Sequence, residues 1–234
     1  MMRAGAIAVV GSLAVVVGGC TLPGKPKGQS LEGQPSKVED FDALYASSCA
    51  GCHGANGRDG AALGLDNVVY LAIVDEQTLQ RTIATGVAGT SMPAFAASAG
   101  GTLTDRQVDV IARGIRARWA RPETLGDTPP PYVGPAGEAR PGAAVFAAFC
   151  VSCHGADGSG GPKSGSIVDG SYLALVSAQS LRTLLIAGRP EIGQPDWRGD
   201  APGRPLASQQ IADVVAWLVS HRQEFPGRPY ARSR

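Results

Sequence analysis

Apolar residues in this chain recur at helical spacing, not at strand spacing. Over residues 104–119, Val108, Ile111 and Ile115 fall on one face of a predicted helix that Thr104 caps. Over residues 208–220, Ile211, Val214, Val215 and Leu218 form the same kind of face. Residues 75–84, closed by Gly86, and residues 177–187 read as two further helices, and Asp40 caps another that runs through Tyr45 and Ala46 toward Cys49. No run of residues alternates as a half-buried strand does. The pattern predicts an all-α fold.

These patterns come in two copies. FDALYASSCAGCHGANGRDG, from Phe41, parallels GAAVFAAFCVSCHGADGSGG, from Gly142, with the cysteines 101 residues apart. Tyr70-Leu71-Ala72 then matches Tyr172-Leu173-Ala174, and Gly86 matches Gly188. A period of about a hundred residues is too long for a solenoid and fits a duplicated small domain. Residues 38–120 and 139–222 are the expected domains. Residues 121–138, with the run Pro129-Pro130-Pro131, form a stiff, extended linker, and 223–234 a C-terminal tail.

Composition sharpens this picture in two respects. Aromatic residues are only 6% of the chain, while Gly numbers 32 and Pro 17, so something other than aromatic bulk must help fill the cores, as a buried cofactor would. The formal charge of +1 gives no electrostatic case for nucleic acid as a partner.

The N-terminus reads as an export signal over residues 1–19: Arg3, then an apolar stretch from Ala4 to Val17. Val17-Gly18-Gly19-Cys20 resembles a bacterial lipobox, with Val and Gly where Leu and Ala or Ser are usual. Cys20 is therefore the expected lipidation site, and residues 20–37, poor in large apolar side chains, the tether behind it.

The chemistry lies in Cys49-Ala-Gly-Cys52-His53 and Cys150-Val-Ser-Cys153-His154, which use four of the five cysteines and two of the three histidines. C-x-x-C-H is the attachment motif of a c-type haem. Two thiols three residues apart on one helical turn reach the two vinyl groups of a porphyrin, and the adjacent His becomes the proximal iron ligand. Zinc binding would need the two pairs to act together, yet each belongs to its own copy. A thioredoxin-like pair needs a βαβ context, and structural disulfides would leave both histidines unexplained.

On these residues each half resembles the class I cytochrome c family. Tyr45 and Phe146 stand where that family has an aromatic residue before its haem motif. Trp217-Leu218 fits the family's C-terminal helix, whereas the first half has Gly114-Ile115 there and Trp119 later. Gly161-Pro162 matches a Gly-Pro whose carbonyl holds the proximal His, and the first half has Gly60-Ala61. The resemblance implies two tandem domains, two covalently bound haem c groups, and Met92, in a loop ending Met92-Pro93, as sixth ligand of the first iron. The second half contains no Met. Gln194 stands opposite Met92, so Gln194, Lys163, water or nothing remain for the second iron, and His221 reads as a surface residue.

The resemblance further implies an electron carrier between redox proteins on the periplasmic side of a bacterial membrane. A quinol-oxidising complex, a terminal oxidase or a periplasmic dehydrogenase are the partner classes. The alternative is a dihaem oxidoreductase, peroxidase-like or thiosulfate-oxidising, or a small-gas sensor that uses a second haem without Met.

Overall fold

The computed structural model describes residues 34–199 and 203–223. The signal segment, Cys20 and the tether up to residue 33 lie outside them, as does the tail beyond Gln223. Residues up to Lys37 form a unit of their own, of which the 3-10 turn Pro35–Lys37 is described. Everything from Val38 onward forms the second unit, considered below.

Ten α-helices are described in two sets of five, with no β-strand among the described residues. The first set is α1 (Phe41–Ser48), α2 (Ala50–His53), α3 (Val68–Ile73), α4 (Glu76–Thr85) and α5 (Asp105–Trp119). The second is α6 (Ala139–Phe149), α7 (Val151–His154), α8 (Gly170–Ala174), α9 (Ala178–Ala187) and α10 (Ser208–Ser220). Their beginnings are written locally. Asp40 accepts from Ala43 N, Asp75 from Thr78 N and Ser177 from Ser180 N. Thr104 and Gln107 form a reciprocal capping box at the start of α5. The short helices α3 and α8 each begin at a side chain, Asn67 or Asp169, that accepts two backbone N–H groups.

In each half the last helix packs against the first, and the predicted apolar faces are the ones buried. Ile111, Ile115, Ile211 and Val214 are fully enclosed, and Leu218 is buried. At the crossings the bulky and the small partner trade places. In the first half Phe41, on α1, lies on Gly114, where an added Cβ would come within 2.0 Å of the ring. In the second half the glycine is Gly142, on α6, where an added Cβ would meet Trp217 Cβ at 2.9 Å. Phe41 and Gly142 both stand eight residues before the first cysteine of their motif, and Gly114 and Trp217 both stand ten residues beyond the helix cap.

This exchange explains why Trp119 comes late. Its indole packs edge-on to Tyr45 with ring centroids 5.3 Å apart and abuts Gly57. Trp217 stacks on Phe146 at 4.2 Å and abuts Gly158, the equivalent glycine. Two different positions on the C-terminal helix deliver an indole to the same place.

Residues 121–138 do more than span a gap. The buried Arg182 of α9 donates to Pro131 O at 2.7 Å and to Tyr132 O at 3.0 Å, and Gly134 lies flat on its guanidinium. Gln209 donates to Ala136 O, and the Asp213 carboxylate accepts from Glu138 N at the start of α6. The segment is thus strapped to the second half along its length. The halves also share a core, since Ile186, Ala187, Trp197, Leu206 and Ile211 pack in one apolar cluster with first-half residues such as Leu71 and Ile115.

Candidate haem sites

Each C-x-x-C-H motif begins at a break between two helices. Cys49 closes α1, and Ala50–His53 forms one further turn. Cys150 closes α6 in the same way before Val151–His154. None of the four motif cysteines is paired in a disulfide. Burial raises the pKa of the Cys49 and Cys150 thiols to about 11. A redox-active C-x-x-C pair requires the opposite shift.

The histidines are held through Nδ1. His53 Nδ1 lies 2.7 Å from Leu63 O, which can only accept, so Nδ1 carries the proton. His154 Nδ1 lies 2.9 Å from Ser164 Oγ, whose own proton goes to Cys153 O at 2.8 Å. In both rings this leaves Nε2 with a free lone pair, and burial favours the neutral imidazole. The acceptors correct the expectation drawn from Gly60-Ala61 and Gly161-Pro162. They belong to the next equivalent pair along the loop, Leu63 and Ser164, a carbonyl in one half and a hydroxyl in the other.

The loops after α4 and α9 superpose in their bonding. Gly86 and Gly188 each have φ near +67°, the left-handed region, and each lies against the backbone of a proline, Pro93 or Pro195. Val87 N donates to Met92 O at 3.1 Å, and Arg189 N donates to Gln194 O at 2.9 Å. Met92 and Gln194 therefore occupy one structural position. Lys163 is exposed on the loop that carries Ser164, the side of the His154 contact. His221 caps α10, with Nδ1 2.8 Å from Trp217 O.

Residues 36–113 match the family model described as cytochrome C oxidase, cbb3-type, subunit III, and residues 139–222 match the one described as cytochrome c. The chain carries two cytochrome c domains in tandem. It is 33% identical over 142 residues to the Cbb3-type cytochrome c oxidase subunit FixP of Azorhizobium caulinodans. That match takes in 55% of this chain and 43% of the relative, so the chain spans less than half the length of FixP. A reducing HAO-like protein complex of Kuenenia stuttgartiensis overlaps 80% of the chain and 97% of its own, at 15% identity and a TM-score of 0.49. The KustC0563 c-type cytochrome overlaps 35% of this chain and 99% of its own, at 20% identity and a TM-score of 0.31.

This dihaem cytochrome binds two haem c groups covalently. The residues present fit them: two thiols on one turn, and an imidazole whose Nδ1–H is already committed, as a metal-bound His requires. Cys49, Cys52 and His53 would hold one group, and Cys150, Cys153 and His154 the other. Each haem supplies a one-electron couple. The protein's part is to fix the imidazole planes through Leu63 O and Ser164 Oγ.

The domains meet through these same loops. Arg189 donates from Nη2 to Gly60 O and from Nη1 to Ala61 O, both at 3.1 Å, and pairs with Glu191. Asn67 donates from Nδ2 to Ala187 O at 3.0 Å. The loop that carries Gln194 in the second domain thus grips the loop behind His53 in the first. Arg189 carried no motif that marked it for this contact.

Proposed function

We propose that this dihaem cytochrome relays electrons on the periplasmic side of a bacterial membrane and passes them to a terminal oxidase. Met92 serves as sixth ligand of the first iron, and Cys20 carries a lipid anchor. One observation carries the relay: both haem motifs belong to one packed body, joined through Arg189 and a common apolar core. A shared rigid frame fixes the separation of two haems, which two independently swinging domains cannot do.

The choice of an oxidase as acceptor is supported by the resemblance of the first domain to a cbb3-type subunit III and of the chain to FixP. The anchor at Cys20 supplies the attachment to the membrane.

The test is to mix the reduced holoprotein with a cbb3-type oxidase and oxygen and follow haem oxidation. Fast oxidation that depends on the oxidase supports the reading, and oxidation no faster than without it sinks it. Fractionation tests the anchor: wild type should sediment with membranes, and Cys20→Ser should be soluble. A wild type already in the soluble fraction ends the anchor proposal.

A second reading is a dihaem oxidoreductase or a small-gas sensor. It is favoured by the replacement of Met92 by Gln194 at the equivalent position of the second domain.

A further inference from the structure

The geometry points to an open coordination position at the second haem, where a small exogenous lone-pair donor binds in the place that Met92 takes in the first domain. The inference rests on haem attachment at Cys150 and Cys153. It is independent of which protein receives the electrons.

The equivalence of Met92 and Gln194 is fixed on both sides of the loop. Upstream, Gly86 and Gly188 make the same turn. Downstream, Leu103 N donates to Phe95 O and Leu206 N to Trp197 O, so Phe95 and Trp197 correspond as well. No insertion separates either ligand position from its anchors, and the second domain keeps the arm while losing the sulfur.

Gln194 does not replace it. Its Nε2 donates to Leu184 O in the last turn of α9 at 3.1 Å, which ties the amide back to its own domain. An amide carbonyl is in any case a weak ligand for haem iron. The other nitrogen donors belong to other parts of the domain. Lys163, the one lysine after Lys37, lies beside Ser164 on the proximal loop. His221, the one histidine outside the motifs, has Nδ1 against Trp217 O and its ring on the Trp217 indole, centroids 4.6 Å apart. No Met occurs after Met92. No Met, His or Lys lies on the loop that carries Gln194, residues 188–197.

The two domains should therefore differ in kind. The first has a thioether that closes its iron, and the second takes water or a small neutral ligand such as a diatomic gas.

The experiment uses the purified dihaem holoprotein, with carbon monoxide as the probe. Covalent haem is counted first, and a count of one would overturn the dihaem assignment itself. With two haems present, the dithionite-reduced protein should bind one carbon monoxide per chain. Gln194→Met should lower this to none and double the near-infrared sulfur-to-iron band of the oxidised form. Gln194→Leu should leave binding at one per chain, and it guards against misfolding of the first variant. Two intact haems with no carbon monoxide bound would overturn the inference. So would a wild type that binds none while Gln194→Leu binds one, because Gln194 would then be the ligand. Binding that Gln194→Met leaves at one, with the sulfur band unchanged, would overturn it too.

Discussion

Arg189 of the second domain donates to the carbonyl oxygen of Gly60 in the first at 3.1 Å, across 129 residues of chain. Ala61 O takes a second bond from the same guanidinium. In the second domain Pro162 restrains the equivalent loop from within its own sequence. The first domain has Ala61 there, and the other domain adds a restraint to the one from Ala62 N, which donates to Cys52 O. Arg189→Ala should cost about 1–2 kcal/mol, as for bonds from a charged donor at a partly exposed site. It should speed amide exchange across residues 60–63, while exchange across 161–164 stays unchanged. Equal protection of residues 60–63 in wild type and variant would remove the clamp from the account.

Ser164 offers a more local test. Its hydroxyl accepts the His154 Nδ1 proton, which makes the imidazole a stronger donor and favours oxidised iron. Ser164→Ala should raise the potential of the second haem and leave the first near its wild-type value. Spectroelectrochemical titration resolves the two. A fall in the second potential would contradict the assignment.

Met92→Ala should abolish the near-infrared sulfur-to-iron band and lower the potential of the first haem, because a thioether favours the reduced state. A band of unchanged intensity would put a different ligand on that iron. Cys49→Ala combined with Cys52→Ala should leave one haem per chain after acid-acetone extraction.

The first helix crossing is tight enough to show overpacking. In Gly114→Ala the new Cβ falls within 2.0 Å of Phe41, so α1 and α5 must separate or the ring must move. A destabilisation of about 1–3 kcal/mol is expected, with Tm falling by roughly 2–4 °C for each kcal/mol in a chain of this size. Adding Phe41→Leu should recover part of the loss. A double variant no more stable than Gly114→Ala alone would show that the ring is not the obstacle.

Much of this architecture was legible in the sequence. The long helices announced themselves by cap residues and by apolar faces such as Val108, Ile111 and Ile115, because capping and periodicity are local. The helices α3 and α8 were visible only as the repeated Tyr-Leu-Ala, since six or five residues give too few turns for a period to show. The Nδ1 partners were misplaced along the loop, because loop path and not spacing decides which atom faces a ring. The grip of Arg189 had no signal at all: it depends on how two domains dock, and no local pattern encodes that. The delayed Trp119 looked like a departure until Phe41 was seen to fill the space above Gly114.

The reversal of large and small at the two crossings bears on how a duplicated chain avoids exchanging its parts. Tandem copies of one fold run the risk that the first helix of one copy pairs with the last helix of the other. Here, pairing α1 with α10 would drive Phe41 into Trp217, two rings in a space that holds one. Pairing α6 with α5 would set Gly142 opposite Gly114 and leave a hole. Each wrong partnership is penalised, one by crowding and one by emptiness, so the two halves sort themselves during folding although their helices share a common plan.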